Sequence, residues 1–165
     1  MRVLGIDTAL RCTGLGVVER AGPRWRAVDY GLVRNAPKLR HSQCLHRLQE
    51  GVREFIARTQ PDTVALEGAF FARNPGTAMI LGEARGAVIA LVATLGLPIF
   101  EHAPRRVKQA VVGFGGADKD QVGLMVKRLL ALAEVPPPDA ADALAIAICH
   151  LQSQGPLAAL EDRQL

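Results

Sequence analysis

Asp7, Glu67, Asp139 and Asp142 each stand where an apolar run ends or a helix begins, and none of them lies in a charged stretch. Carboxylates gathered in one cleft repel one another and raise each other's pKa. Four of them stay ionised at neutral pH when divalent cations compensate the charge. Residue type and placement therefore point to metal-dependent chemistry on phosphate. Two Mg²⁺ ions held about 4 Å apart by such oxygens, with Mn²⁺ as a substitute, could activate a water and stabilise the leaving 3′-oxygen of a phosphodiester. Lys108 and Lys119 follow in the chain, where either could contact phosphate or stabilise transition-state charge. Each acid also has an ordinary role open to it: Asp139 as a helix cap, Asp142 as a first-turn acid, Asp7 as a turn starter, Glu67 as a residue leaving the sheet for solvent.

The elements that must position these groups can be read from periodicity. Val3 to Ile6, Gly14 to Glu19 and Arg24 to Val33 read as three short strands in an antiparallel meander, with Asp7 closing the first. Leu45, Leu48, Val52, Phe55 and Ile56 fall at helical spacing, with Ser42 near the first turn and the end near Arg58. Thr63 to Leu66 is then a parallel, buried strand with Glu67 at its carboxyl end. A long apolar helix over Thr77 to Leu95 leads to a strand at Pro98 to Phe100. Pro104 opens a short helix through Val111, and Asp118 with Gln121 caps another carrying Val122, Met125, Val126, Leu129 and Leu130. Pro136 to Pro138 halt the chain before the last helix, whose first turn carries Asp139 and Asp142 three residues apart on one face. The order βββαβαβ followed by helices predicts a mixed five-stranded sheet flanked by helices, α/β in class.

A chain of 165 residues with 49% apolar content suits one domain. We expect it over residues 1–152, with 153–165 as a loosely ordered tail. Cys12, Cys44 and Cys149 show neither disulfide nor zinc spacing, which suits a reducing cytoplasm. No uninterrupted apolar stretch approaches the roughly 18 residues of a membrane helix, so neither secretion nor insertion is indicated. The net charge of +4 is compatible with a polyanionic partner but also with a merely solvated surface.

Phe70 and Phe71 follow Glu67-Gly68-Ala69 in a chain with only 4% aromatic residues. One of the two is expected in the core, and Phe70 is expected to face nucleic acid, stacking on or wedging between bases. Ala78, Gly82, Gly86 and Ala90 form a row of small side chains that either the sheet or a second subunit could fill. His41, His46, His102 and His150 show no ligand spacing, and Gly14-Leu15-Gly16 is not a phosphate loop.

Taken together, LGIDTALRCTGLGVVE, ALEGAFFARNPGTAMILGEARG, APRRVKQAVVGFGGADKDQV and DAADALAIAICH resemble the RuvC family of bacterial Holliday-junction resolvases, in the ribonuclease H-like superfamily, over about residues 1 to 152. The resemblance implies that Asp7, Glu67, Asp139 and Asp142 hold the metal, that Phe70 contacts the junction, and that Lys108 and Lys119 take the DNA-contacting or catalytic basic positions. Phe71 and Arg73 join that DNA-binding set. Phe71 is an added aromatic, and some relatives carry His where Asp139 stands. The family further implies a homodimer that nicks two opposed strands of a four-way junction, with a thymine-centred preference and cooperation with the branch-migration complex. Three rivals remain: a ribonuclease H-like nuclease on RNA hybrids or flaps, a catalytically silent nucleic-acid-binding module, and an actin-like ATP-binding domain.

Overall fold

The computed structural model describes residues 1–68, 74–154 and 163–165. Strands β1 (Arg2–Asp7), β2 (Cys12–Ala21) and β3 (Arg24–Arg34) form the expected meander, and β2 turns into β3 at Gly22, whose φ of 62° suits the first central position of a two-residue hairpin turn. Helix α1 (His41–Thr59) leads to β4 (Thr63–Glu67), α2 (Pro75–Thr94) to β5 (Ile99–His102), and α3 (Pro104–Val112), α4 (Lys119–Leu129) and α5 (Pro138–Gln152) follow. The sheet order is β3-β2-β1-β4-β5, with β4 parallel to both β1 and β5. A two-residue strand, β6 (Arg163–Gln164), adds antiparallel to β5 at the edge.

Strand alternation sorts the sheet into two faces. Leu4, Ile6, Leu15, Val17, Val64 and Leu66 pack with α1 and α2. Val3, Val18 and Ala65 pack with α3, α4 and α5 on the other side. The result is a three-layer sandwich in which α5 is buried from Ala140 to Leu151 except at Asp142, as befits a helix that is apolar nearly all round.

The local signals held with small shifts. Asp118 accepts from the Gln121 N–H at 2.8 Å and Gln121 answers at 3.0 Å, the reciprocal cap that its spacing predicts. Ser42 caps nothing, because α1 begins one residue before it and Gln43 instead accepts from the Arg40 N–H at 3.1 Å. Asp139 lies inside α5, behind Pro138 at the first helical position, and not at the cap. The first half of α2 rests on little: its buried residues are Ala84, Val88, Leu91 and Val92, while Met79 is 68% exposed. By length and composition alone α2 is apolar enough to cross a bilayer, although Glu83 and Arg85 interrupt it, Glu83 meeting His41 and Arg85 pairing with Glu101 within the chain.

Candidate metal centre and nucleic-acid cleft

Asp7 and Glu67 are the last residues of two neighbouring parallel strands, and both continue the parity that faces α5: Val3, Gly5, Asp7 on β1 and Thr63, Ala65, Glu67 on β4. Their carboxylates therefore emerge side by side at the carboxyl ends of the strands, where the chain leaves β1 toward one edge of the sheet and β4 toward the other. Crevices form at such divergences in α/β sheets.

Glycine decides how near α5 comes. Gly5, Gly14 and Gly16 occupy adjacent positions on β1 and β2, with Gly5 opposite Gly16 and Asp7 opposite Gly14. A Cβ on Gly14 would stand 1.8 Å from the carbonyl oxygen of Asp139, and one on Gly5 would stand 1.9 Å from that of Ala143. The first turn of α5 thus lies on bare backbone beside Asp7. Oxygens of Asp7, Asp139 and Asp142 all fall within 4.8 Å of one another, a spacing that one cation could bridge. Glu67 stands outside this trio but shares both adjoining clefts with Asp7.

The cost of this convergence is visible in the titration of Asp7, whose carboxyl is pushed up to about 7 by burial first and then by Asp142, Glu67 and Asp139. Glu67 is raised as well, by burial and then by Asp142, while Lys108 and Lys119 pull it down. Lys119 donates to Asp142 at 3.0 Å, and that bond and its charge raise the ammonium pKa. Burial, reinforced by a hydrogen bond to Asp139, raises the Cys12 thiol. Half-buried acids that repel one another and are offset by little but Lys119 and Lys108 are a donor set suited to a hard divalent cation.

Two clefts open from these acids. One, of about 340 Å³, runs between α3, α4 and α5 and is lined by Lys108, Lys119 and Asp142 in addition to Asp7 and Glu67. The other, of about 320 Å³, runs toward α2 and is lined by Thr8, Gly68, Ala78 and Arg85 among others. Phe70, Phe71 and Arg73 lie outside the described residues. Sequence reading overlooked Arg85, which donates to the main-chain oxygen of Glu67 at 2.6 Å, and the glycines of β1 and β2. A signal for the glycines was present, since glycine inside a strand marks close backbone approach. His102 and His150, which show no ligand spacing in the sequence, are core residues, buried and bonded ring to ring at 3.0 Å.

A mixed sheet with acids ending two central parallel strands, met by acids on the first turn of a helix laid across them, defines the ribonuclease H-like class. The family model described as crossover junction endodeoxyribonuclease RuvC matches residues 3–150. A RuvC protein of Chloroflexus aggregans is 50% identical over 151 residues, 91% of this chain and 92% of its own length. One from Geobacter metallireducens is 48% identical over 155 residues, 94% of each chain. The structure of Thermus thermophilus RuvC in complex with Holliday junction substrate matches with a TM-score of 0.90 at 36% identity, covering 100% of this chain and 99% of that one. The chain belongs to the RuvC family of crossover junction endodeoxyribonucleases.

Proposed function

We propose that the chain is a structure-selective DNA endonuclease that resolves four-way junctions by paired symmetric nicks in recombination and repair. The observation that carries this reading is the convergence of Asp7, Asp139 and Asp142 beside Glu67, at the meeting of two clefts in a RuvC-family fold. Asp7, Asp139 and Asp142 would hold the cation, with Glu67 completing the set for a second. Bound Mg²⁺, or Mn²⁺ in its place, supplies Lewis-acid activation of water and neutralises charge at the scissile phosphate. The chain's own residues do the rest. Burial and close packing fix the carboxylates before substrate arrives. Lys119, held against Asp142, and Lys108, beside Glu67, face the same cleft as the acids, placed to meet the phosphate backbone. By the family resemblance Phe70 is assigned a contact with the junction, and Phe71 and Arg73 belong to the same proposed DNA-binding set.

A four-way junction has two equivalent strands to cut, which calls for two equivalent sites and hence a homodimer. Its supporting feature is α2: Met79 and Ile80 are 68% and 43% exposed, and Cβ atoms on Gly82 or Gly86 would meet nothing within 4 Å among the described residues. The small-residue row therefore remains open to a second copy. Cooperation with a branch-migration complex and a cytoplasmic location complete the reading, the latter in keeping with three cysteines that form no disulfide.

The test is cleavage of a labelled mobile four-way junction against a matched linear duplex and an RNA–DNA hybrid, with Mg²⁺, Mn²⁺ or chelator, alongside Asp7→Asn. Paired nicks in the junction alone, abolished by chelator and by Asp7→Asn with binding retained, are expected. Cleavage of the hybrid would replace this reading with a ribonuclease, and normal cleavage by Asp7→Asn would remove the metal assignment. Phe70→Ala is expected to slow junction cleavage with the melting temperature unchanged.

A further inference from the structure

Glu67 presents its carboxylate toward α5, while its backbone is gripped from the opposite face of the sheet. Arg85, on α2 and with only 13% of its side chain exposed, donates through Nη1 to the Glu67 carbonyl at 2.6 Å and pairs through Nη2 with the carboxylate of Glu101 on β5. Glu101 faces α2 because Ile99, two residues earlier, packs on that side. Beyond Glu67 the strand is pinned once more, by the Gly68 N–H to the His102 carbonyl at 2.8 Å. A Cβ on Gly68 would come within 3.3 Å of the Glu101 carboxylate, so there is little room for the strand end to slide. The same guanidinium lines the cleft between α2 and the acids. A planar fork with two fixed partners sets both a distance and an orientation, which an ammonium would not.

We propose that Arg85 is a positioning residue for Glu67: it clamps the end of β4 between α2 and Glu101, and so fixes the Glu67 carboxylate against Asp7. The proposal rests on the reading of Glu67 as a metal ligand. It also gives α2, the helix with the open small-residue row, a mechanical link to the metal centre, because Arg85 stands one residue before Gly86 on that helix.

The experiment is titration of the full-length, metal-free protein with Mn²⁺, read by electron paramagnetic resonance, for wild type, Arg85→Ala, Arg85→Lys, Glu67→Gln and the Glu67→Gln/Arg85→Ala pair. Melting temperature and junction binding in chelator are followed in parallel. Partners that orient metal ligands are worth roughly 10–100-fold in metal affinity or activity. Arg85→Ala is expected to weaken Mn²⁺ binding and lower kcat by about tenfold or more, with junction binding unchanged within about twofold. Arg85→Lys is expected to recover part of the loss. The double variant is expected to bind Mn²⁺ no more weakly than Glu67→Gln alone, since Arg85 acts through Glu67. Additive losses, or a lowered melting temperature with Mn²⁺ binding intact, would overturn the proposal by making Arg85 a structural anchor only. If Glu67→Gln itself leaves Mn²⁺ binding unchanged, the metal-ligand reading of Glu67 fails first and the proposal falls with it.

Discussion

Two rows of small residues in this chain look alike in sequence and differ completely in what they face. On β1 and β2, Gly5, Gly14 and Gly16 lie under α5 so tightly that any Cβ would overlap its backbone or Leu144. On α2, Gly82 and Gly86 face open space among the described residues. The first row is satisfied within the chain, and its purpose is to bring the first turn of α5 onto Asp7. The second row is not satisfied by anything in the described chain. Glycine in a helix interior costs about 1 kcal/mol relative to alanine, and that cost has no return within a single described subunit. The contrast teaches that close approach at the first row builds the site, whereas the second row is left open among the described residues, where the proposed second copy would pack.

The contrast can be broken most severely at Gly14. Gly14→Ala puts a methyl on the Asp139 carbonyl, which no rotamer change relieves, and a loss of about 3 kcal/mol or more is expected together with loss of cleavage. Calorimetry and junction cleavage check it. A stable, active Gly14→Ala would contradict close contact between Gly14 and the Asp139 carbonyl.

Next in size is the charge penalty that the close approach creates. Asp7 titrates near 7 in the folded chain against 3.8 for a free aspartate, so the folded state binds the proton more tightly than the unfolded state. The resulting relief is complete below 3.8 and is lost as pH rises through about 7. Metal-free protein is therefore expected to melt at falling temperature between those limits. Asp7→Asn should flatten the profile and stabilise the metal-free protein above pH 7, and Mg²⁺ should do the same for wild type by replacing the proton. Thermal melts across pH, with and without Mg²⁺, decide this, and a melting temperature in chelator indifferent to Asp7→Asn would contradict it.

At the second row, Ile80→Glu adds charge to an exposed apolar position without touching the core. A dimer formed through α2 should dissociate at least about tenfold more readily by analytical ultracentrifugation, about 1.4 kcal/mol, with the monomer fold intact. The smallest and sharpest change is Gly86→Ala. Measured at concentrations too low for association, it should stabilise the chain by up to about 1 kcal/mol through helix propensity. At high concentration it should weaken association if another backbone packs there. Gly14→Ala and Gly86→Ala, the same substitution, are thus expected to act with opposite sign on the monomer.

Much of this was legible before the fold. Asp7 and Glu67 could be placed at strand ends because Val3 to Ile6 and Thr63 to Leu66 are short apolar runs with an acid immediately after; that both point to one face follows from the register of β1 on β4. The reciprocal cap of Asp118 and Gln121 was equally plain, being local. What escaped was non-local. Arg85 looks like any cation on an apolar helix until β4 and β5 are brought beside it, and nothing near His102 announces His150, 48 residues away in the chain. The small row on α2 could not be told from a core-facing row, because a glycine carries no record of what it touches.

By itself the sequence determined the element order from β1 to α5, the placement of Asp7 and Glu67 at strand ends, the two acids on one turn of α5, and, through its motifs, membership of a nuclease family. These follow from periodicity and adjacency, which are properties of neighbours along the chain. Tertiary structure alone decided that three carboxylates come within bridging distance, that Asp7 is raised to about 7 by burial and then by the neighbouring acids, and that Arg85 grips the far side of Glu67. Those are properties of pairs brought together by packing, where backbone approach of a few ångströms at Gly5 and Gly14 separates a cluster of charges from scattered surface acids.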